Sequence, residues 1–127
     1  MAQQAAVTLN TVVYSPSGSE NGIVKWFNRV GGVLNSFSAL TQRFVTGAGG
    51  QKLTKVTYRL EVPVVATTDT DCSCAGTLLR TSSCQVDFWL AADSTVAERT
   101  DLYLRIKDLI ATSTVSNAVE NLDPAYA

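Results

Sequence analysis

The stretch KVTYRLEVPVV, residues 55–65, alternates with a period of two. Val56, Tyr58, Leu60 and Val62 fall on one face of an extended chain, and Lys55, Thr57, Arg59 and Glu61 on the other. The same reading extends over much of the chain. Residues 6–14 (AVTLNTVVY) are rich in β-branched side chains and predict a strand, and 15–22 (SPSGSENG) carry turn chemistry. Short apolar strands are expected over 23–27 and 37–45, broken by VGG at 30–32. The long strand 53–66 follows a glycine-rich connection, TGAGGQK, at 46–52. Pro63 cannot donate to a ladder, so it belongs at an edge, a bulge or a strand end. After a polar loop, 67–77, a last strand covers 78–92 with Cys84, Val86, Phe88 and Leu90 facing inward.

From residue 93 the period changes to that of a helix, and residues 93–113 carry it. Thr95 and Glu98 fit a capping box. Tyr103, Ile106 and Ile110 make an apolar stripe with Val96, widened by Leu102 and Leu109, while Asp101 and Arg105 pair on the polar side. A short second helix is expected over 115–122. Strands followed by two helices predict an α+β fold, an antiparallel sheet with helices on one face. Two helices are too few to close such a sheet, and the Leu102, Tyr103, Ile106 and Ile110 surface is large for one small chain. A homodimer with helices packed across subunits is therefore expected.

The length, 127 residues, suits one domain spanning 1–127, and 46% hydrophobic residues are enough for a core. No apolar run is long enough to cross a membrane. The opening MAQQAAVTLN lacks a basic n-region and an apolar h-region, so no signal peptide is expected and the chain should stay in the cytoplasm where it is made. The formal net charge of −1 argues against indiscriminate nucleic-acid binding. Its distribution argues the other way, because residues 22–60 hold six basic side chains (Lys25, Arg29, Arg43, Lys52, Lys55, Arg59) and no acid. The chain has no histidine, which removes Ser-His-Asp and Cys-His catalysis and every zinc site built on imidazole. No metal site, cofactor or small-molecule substrate is expected. Asp87 and Asp93 read as a solvated carboxylate and a turn residue, not a catalytic pair. Cys84 has core parity and reads as buried and inert.

If the apolar side of the sheet is covered, the other carries Lys55, Thr57 and Arg59, with Thr41 and Arg43 on the preceding strand and Thr81, Ser83, Gln85 and Asp87 on the last. The lysine, arginine, threonine, serine and glutamine side chains among them bind phosphate and base edges, although a solvated sheet face is also polar and threonine-rich.

Four stretches carry a resemblance to the coat proteins of single-stranded RNA bacteriophages, the levivirus family in its Q-beta-like branch. They are Asn21-Gly22-Ile23-Val24-Lys25-Trp26; Lys55 to Pro63 with Val65-Ala66-Thr67; Ser73-Cys74 with Arg80; and Asn117 to Tyr126. The resemblance implies an N-terminal β-hairpin, a five-stranded antiparallel sheet and two C-terminal helices interlocking in a dimer. It implies dimers closing into an icosahedral shell around the RNA genome, in a virion assembled in the cytoplasm of a bacterial host. It also implies a translational repressor that binds an RNA hairpin. By the same resemblance Lys55 falls on a phosphate-contacting lysine and Thr57 on a threonine lining an adenine pocket. Arg59 replaces a lysine of that pocket, keeping the charge but offering a planar fork. Gln85 falls on an acidic position that reads the hairpin. Ser83 falls on a tyrosine that stacks on a base, a contact worth about 1–3 kcal/mol that serine cannot make. In that branch the loop bearing Cys72 and Cys74 forms disulfides between subunits. Free thiols in a reducing cytoplasm are the alternative, and bonding Cys72 to Cys74 would be strained. Other classes left open are a dimeric RNA-binding repressor without a shell and a small dimeric ligand-binding protein. An enzyme has little support: TGAGGQK lies between strands and reads as a hairpin turn, not a phosphate loop.

Overall fold

A computed structural model describes residues 4–29, 36–46, 53–66 and 77–125. The chain divides into two compact units, Met1–Leu90 and Ala91–Ala127.

The first unit holds six strands in sequence order: β1 (Val7–Leu9), β2 (Val12–Glu20), β3 (Ile23–Asn28), β4 (Ser38–Val45), β5 (Leu53–Val65) and β6 (Leu78–Ala91). The four ladders from β1 to β5 are antiparallel. The expected hairpin is β1–β2. Because β2 continues into the sheet, the hairpin and the five strands β2–β6 share it, which makes one sheet of six.

The N-terminal part corrects the sequence reading. Residues 6–14 are not one strand. Asn10 and Thr11 both take positive φ, 48° and 65°, between the paired Leu9 and Val12, so the chain reverses there in a two-residue hairpin. Residues 15–20, expected as turn, are strand. The reversal is confined to Asn21 and Gly22, at φ 53° and 77°, between the paired Glu20 and Ile23. Asn-Gly is the pair best suited to a turn that needs positive φ twice. A bulge between Pro16 and Gly18 shifts the register, and Gly18 supplies the φ of 121° it needs. The strands β3 to β6 lie close to their predicted positions. Pro63 sits beyond Glu61, the last residue of β5 paired with β4, where its missing N–H costs no bond in that ladder.

The apolar centre of this unit is Tyr14, Trp26 and Leu40, with Val7, Leu9, Val24 and Leu60 against it. Ser38 donates to the Glu61 carbonyl at 2.8 Å, which commits its only proton. Tyr14 is therefore the donor in its 2.7 Å bond to Ser38 Oγ. Trp26 Nε1 donates to Ala5 O at 2.8 Å and ties down the N-terminal segment. The same side of β4 and β5 also carries Phe44, Tyr58, Val62 and Val64, all exposed. Among the described residues the buried apolar side chains are only Tyr14, Trp26, Leu40 and Ala66, few for a chain of this length. On β6, Val86, Phe88 and Leu90 are half-buried, but Cys84 is exposed, contrary to its expected burial. Parity fixes which face a strand residue points to, not whether anything lies on it.

The second unit holds α1 (Val96–Ile110) and α2 (Ser113–Glu120). The capping box forms as expected, Glu98 N–H to Thr95 Oγ1 and Thr95 N–H to Glu98 Oε2, each at 3.3 Å. Asp101 and Arg105 pair at 3.0 Å across one helical turn. The helices part at Thr112, which leaves the helical region (φ −76°, ψ 154°), so α2 begins two residues earlier than its spacing suggested. Neither helix has a buried residue. Ile106 is half-buried, while Leu102, Tyr103, Leu109 and Ile110 are exposed. Among the described residues no helix is long and apolar enough to cross a membrane.

Candidate nucleic-acid interface

The registers bring the polar side chains of β3, β4 and β5 onto one face. Lys25 stands opposite Thr41, and Thr41 opposite Arg59. In the next row Ile23 faces Arg43, and Arg43 faces Thr57. Lys55 lies opposite Val45 and Glu61 opposite Ala39. Each arginine of β4 and β5 is thus directly opposite a threonine, and like charges meet only along diagonals. Directly opposed like charges destabilise a sheet, and this checkerboard avoids them while keeping the cations close.

The sixth strand closes the arrangement. Thr57 Oγ1 donates to Asp87 Oδ1 at 2.5 Å, Gln85 Nε2 to Asp87 Oδ2 at 3.1 Å, and Lys55 Nζ lies 3.8 Å from Asp87 Oδ1. Asp87 is therefore not the solvated carboxylate expected of it; its side chain is 20% exposed and fastens β6 to β5. The Thr57 hydroxyl first and then the Gln85 amide hold its pKa below the ordinary 3.8, outweighing the opposing effect of burial, and the Lys55 charge adds the smallest contribution in the same direction. Arg59 Nε bonds Glu61 Oε1 at 2.8 Å. Among the described residues no ion pair joins Lys25 or Arg43. Trp89, two residues beyond Asp87, has Lys55 Nζ 5.2 Å from its ring centre.

An open depression of about 380 Å³ on this face is lined by Ile23, Thr41, Arg43, Val45, Lys55, Thr57, Arg59 and Gln85. Six residues singled out in the sequence, Thr41, Arg43, Lys55, Thr57, Arg59 and Gln85, therefore share one surface. Its wall has three cations and no carboxylate. Ser83 is exposed on β6 but does not line it. A second hollow beside it is lined by Lys25, Phe27, Ala39, Thr41, Arg59 and Glu61, which adds Lys25 to the surface. Lys25, Asp87 and Trp89 were not among the expected site residues. The register against Thr41 is the signal for Lys25, and it becomes readable only once β3 and β4 are known to pair. Cys72, Cys74 and Tyr126 lie outside the described residues. No group of three His, Cys, Asp or Glu side chains that could hold a metal ion occurs among the described residues.

The model of the Levivirus coat protein family matches residues 2–126. The chain belongs to the levivirus coat protein family. Solved structures agree on the fold. The virus-like particle of Beihai levi-like virus 21 matches with a TM-score of 0.87 at 17% identity, over 99% of this chain and 100% of that one. The virus-like particle of bacteriophage ESE058 matches with 0.84 at 19% identity, over 98% and 100%. The bacteriophage GA capsid matches with 0.76 at 17% identity, over 97% and 98%. No curated protein matches the chain. This coat protein is a structural, non-enzymatic component of a virion that associates with copies of itself. Sequence identity is low while the fold is retained, so the residues on the polar face must be judged by their own chemistry.

Proposed function

We propose that residues 1–127 act as a single coat domain that dimerises, that dimers close into an icosahedral shell in the cytoplasm of a bacterial host, and that the polar sheet face binds the enclosed single-stranded RNA. The same dimer would bind an RNA hairpin and repress translation. The observation that carries the RNA reading is the depression walled by Arg43, Lys55 and Arg59 without a carboxylate. In this reading the three cations take phosphates, while Thr41, Thr57 and Gln85 offer hydroxyl and amide groups to sugars and base edges. Dimerisation is supported by the exposed apolar surfaces. Leu102, Tyr103 and Ile110 of α1 are 37%, 59% and 57% exposed, and Phe44 and Val62 of the sheet 54% and 44%. Apolar surface on this scale is what an obligate partner removes from water. The loop thiols Cys72 and Cys74 are proposed to bridge neighbouring subunits of the shell.

Size-exclusion chromatography of the recombinant protein, read at 260 and 280 nm and followed by negative-stain microscopy, tests the whole reading. Large round particles with a nucleic-acid spectrum are expected. Particles without nucleic acid would refute RNA packaging. A small dimer that binds RNA would leave the repressor and remove the shell. Non-reducing electrophoresis of particles tests the cysteines, and a single monomer band would refute the bridges.

A further inference from the structure

Trp89 is 58% exposed. It follows Gln85 and Asp87 at a spacing of two along β6, so its ring stands on the face that carries the RNA-binding groups proposed above. The Lys55 ammonium lies 5.2 Å from the ring centre, and Lys55 also walls the cationic depression together with Thr57 and Gln85. One exposed aromatic on a protein surface calls for no explanation. An exposed indole in contact with a cation, at the margin of a surface of cations, hydroxyls and an amide, presents a specific set of contacts. It offers a flat π-face, a positive charge beside it, and hydrogen-bonding groups on the same sheet face. An unpaired nucleotide needs that set for its base, its phosphate and its base edge. A paired base in a duplex has both faces already stacked and cannot use the ring.

We infer that Trp89 is a stacking platform for an unpaired base of the bound RNA, with Lys55 beside the ring holding the adjoining phosphate. The inference rests on the RNA reading of this face and adds to it a preference for unpaired over duplex RNA. A lysine on its flexible stem can swing from the ring to a phosphate when the base arrives, whereas the indole is held on a strand and needs little ordering.

The chain has two tryptophans. Trp26 is 7% exposed and its Nε1 is bonded to Ala5 O, so quenching by an added ligand reports mainly on Trp89. The native protein is titrated with a single-stranded adenylate decamer and with an RNA duplex of the same length, following tryptophan fluorescence and affinity. Quenching by the single strand and little by the duplex is expected. Trp89→Ala should weaken single-strand binding roughly 5- to 150-fold, the range for losing one stacked base, and leave duplex affinity nearly unchanged. Trp89→Phe should restore most of the loss. Single-strand affinity unchanged in Trp89→Ala, or equal quenching by the duplex, overturns the inference while the RNA reading stands. Quenching that depends on protein concentration without RNA also overturns it, because a second copy then covers the ring. Failure of the native protein to bind either RNA refutes the parent reading, and the inference falls with it.

Discussion

Replacing Arg43, Lys55 and Arg59 together by alanine removes all three cations from the wall of the central depression. The expected change is in the salt dependence of RNA binding rather than in affinity at one salt concentration. Each phosphate neutralised on a single strand contributes about 0.7 to the slope of log K against log salt. Loss of three contacts per chain should flatten that slope by about 2. Two of the cations already have acidic neighbours, and this sets the lower limit. Lys55 lies 3.8 Å from Asp87, and Arg59 is 2.8 Å from Glu61, with side chains 43% and 50% exposed. Exposed pairs of this kind are worth about 0–1 kcal/mol, too little to keep either cation from a phosphate. If they nevertheless held both cations back, only Arg43 would count and the slope would change by about 0.7. Between 50 and 200 mM salt, a change of about 2 makes native binding fall roughly 15- to 20-fold more than binding by the variant. Fluorescence anisotropy of unassembled protein with a labelled single-stranded RNA, repeated over a salt series, measures this directly. Lys107→Ala, which removes a cation from α1, serves as the control and should leave the slope unchanged. A triple variant with the native slope would refute the assignment of this face to RNA.

Three further outcomes are expected. Ile106→Asp places an unpaired charge in the proposed helix interface, at a desolvation cost of several kcal/mol, and should yield monomers by light scattering with the helical circular-dichroism signal retained; a native proportion of dimer would place Ile106 outside the interface. Asp87 has a lowered pKa in the folded chain, so its ionised form contributes stability above the unfolded carboxylate value, and that contribution is lost as pH falls below that value and through the folded pKa. Asp87→Asn should therefore lose less stability than the native protein between about pH 5 and pH 2 in urea titrations at one protein concentration, and equal losses would show that the Thr57 and Gln85 bonds do not hold the carboxylate. In the buried pair, Tyr14→Phe removes only a donor whose acceptor keeps its other bond and should cost about 1 kcal/mol. Ser38→Ala strands the buried Tyr14 hydroxyl and also removes the bond to the Glu61 carbonyl, and should cost more, about 2–3 kcal/mol; the reverse order in chemical denaturation would refute the assigned proton direction.

The parts of the fold legible in the sequence are those with one apolar face. β4, β5 and β6 alternate and lie within a residue or two of their expected positions, and α1 repeats at helical spacing behind its capping box, three residues shorter at each end than the stretch 93–113. β2 is different. Of its nine residues only Tyr14 is buried, and SPSGSE has no apolar period to betray a strand. Its pairing comes from neighbours, the Asn21-Gly22 reversal and the ladder to β3. The Asn10-Thr11 turn was missed because a β-branched residue at positive φ is not a turn signal. The site was read in the same way. Parity placed Lys55, Thr57 and Arg59 on one face of β5 and Gln85 and Asp87 on one face of β6, but parity carries no register between strands. Lys25 joins the surface only through its pairing with Thr41, and Asp87 becomes a fastening only because β6 lies beside β5.

Cys84 exposes the deeper reason that a single sequence stops short. Its parity was read correctly and its burial wrongly, because burial depends on what lies over a face. The same holds on β5, where Tyr58, Val62 and Val64 remain open to solvent on the apolar side and Lys55 and Arg59 carry charge on the other. Under the proposed function these two faces need different partners. The apolar side loses water to surfaces contributed with a second copy, and the charged side exchanges counterions for RNA phosphates. The first exchange weakens little with salt and the second strongly, so the two can be separated on one protein. Raising the salt concentration should release RNA well before it parts the dimer. A dimer that dissociates at the same salt concentration as the RNA would mean that the charged face, not the apolar one, holds the copies together.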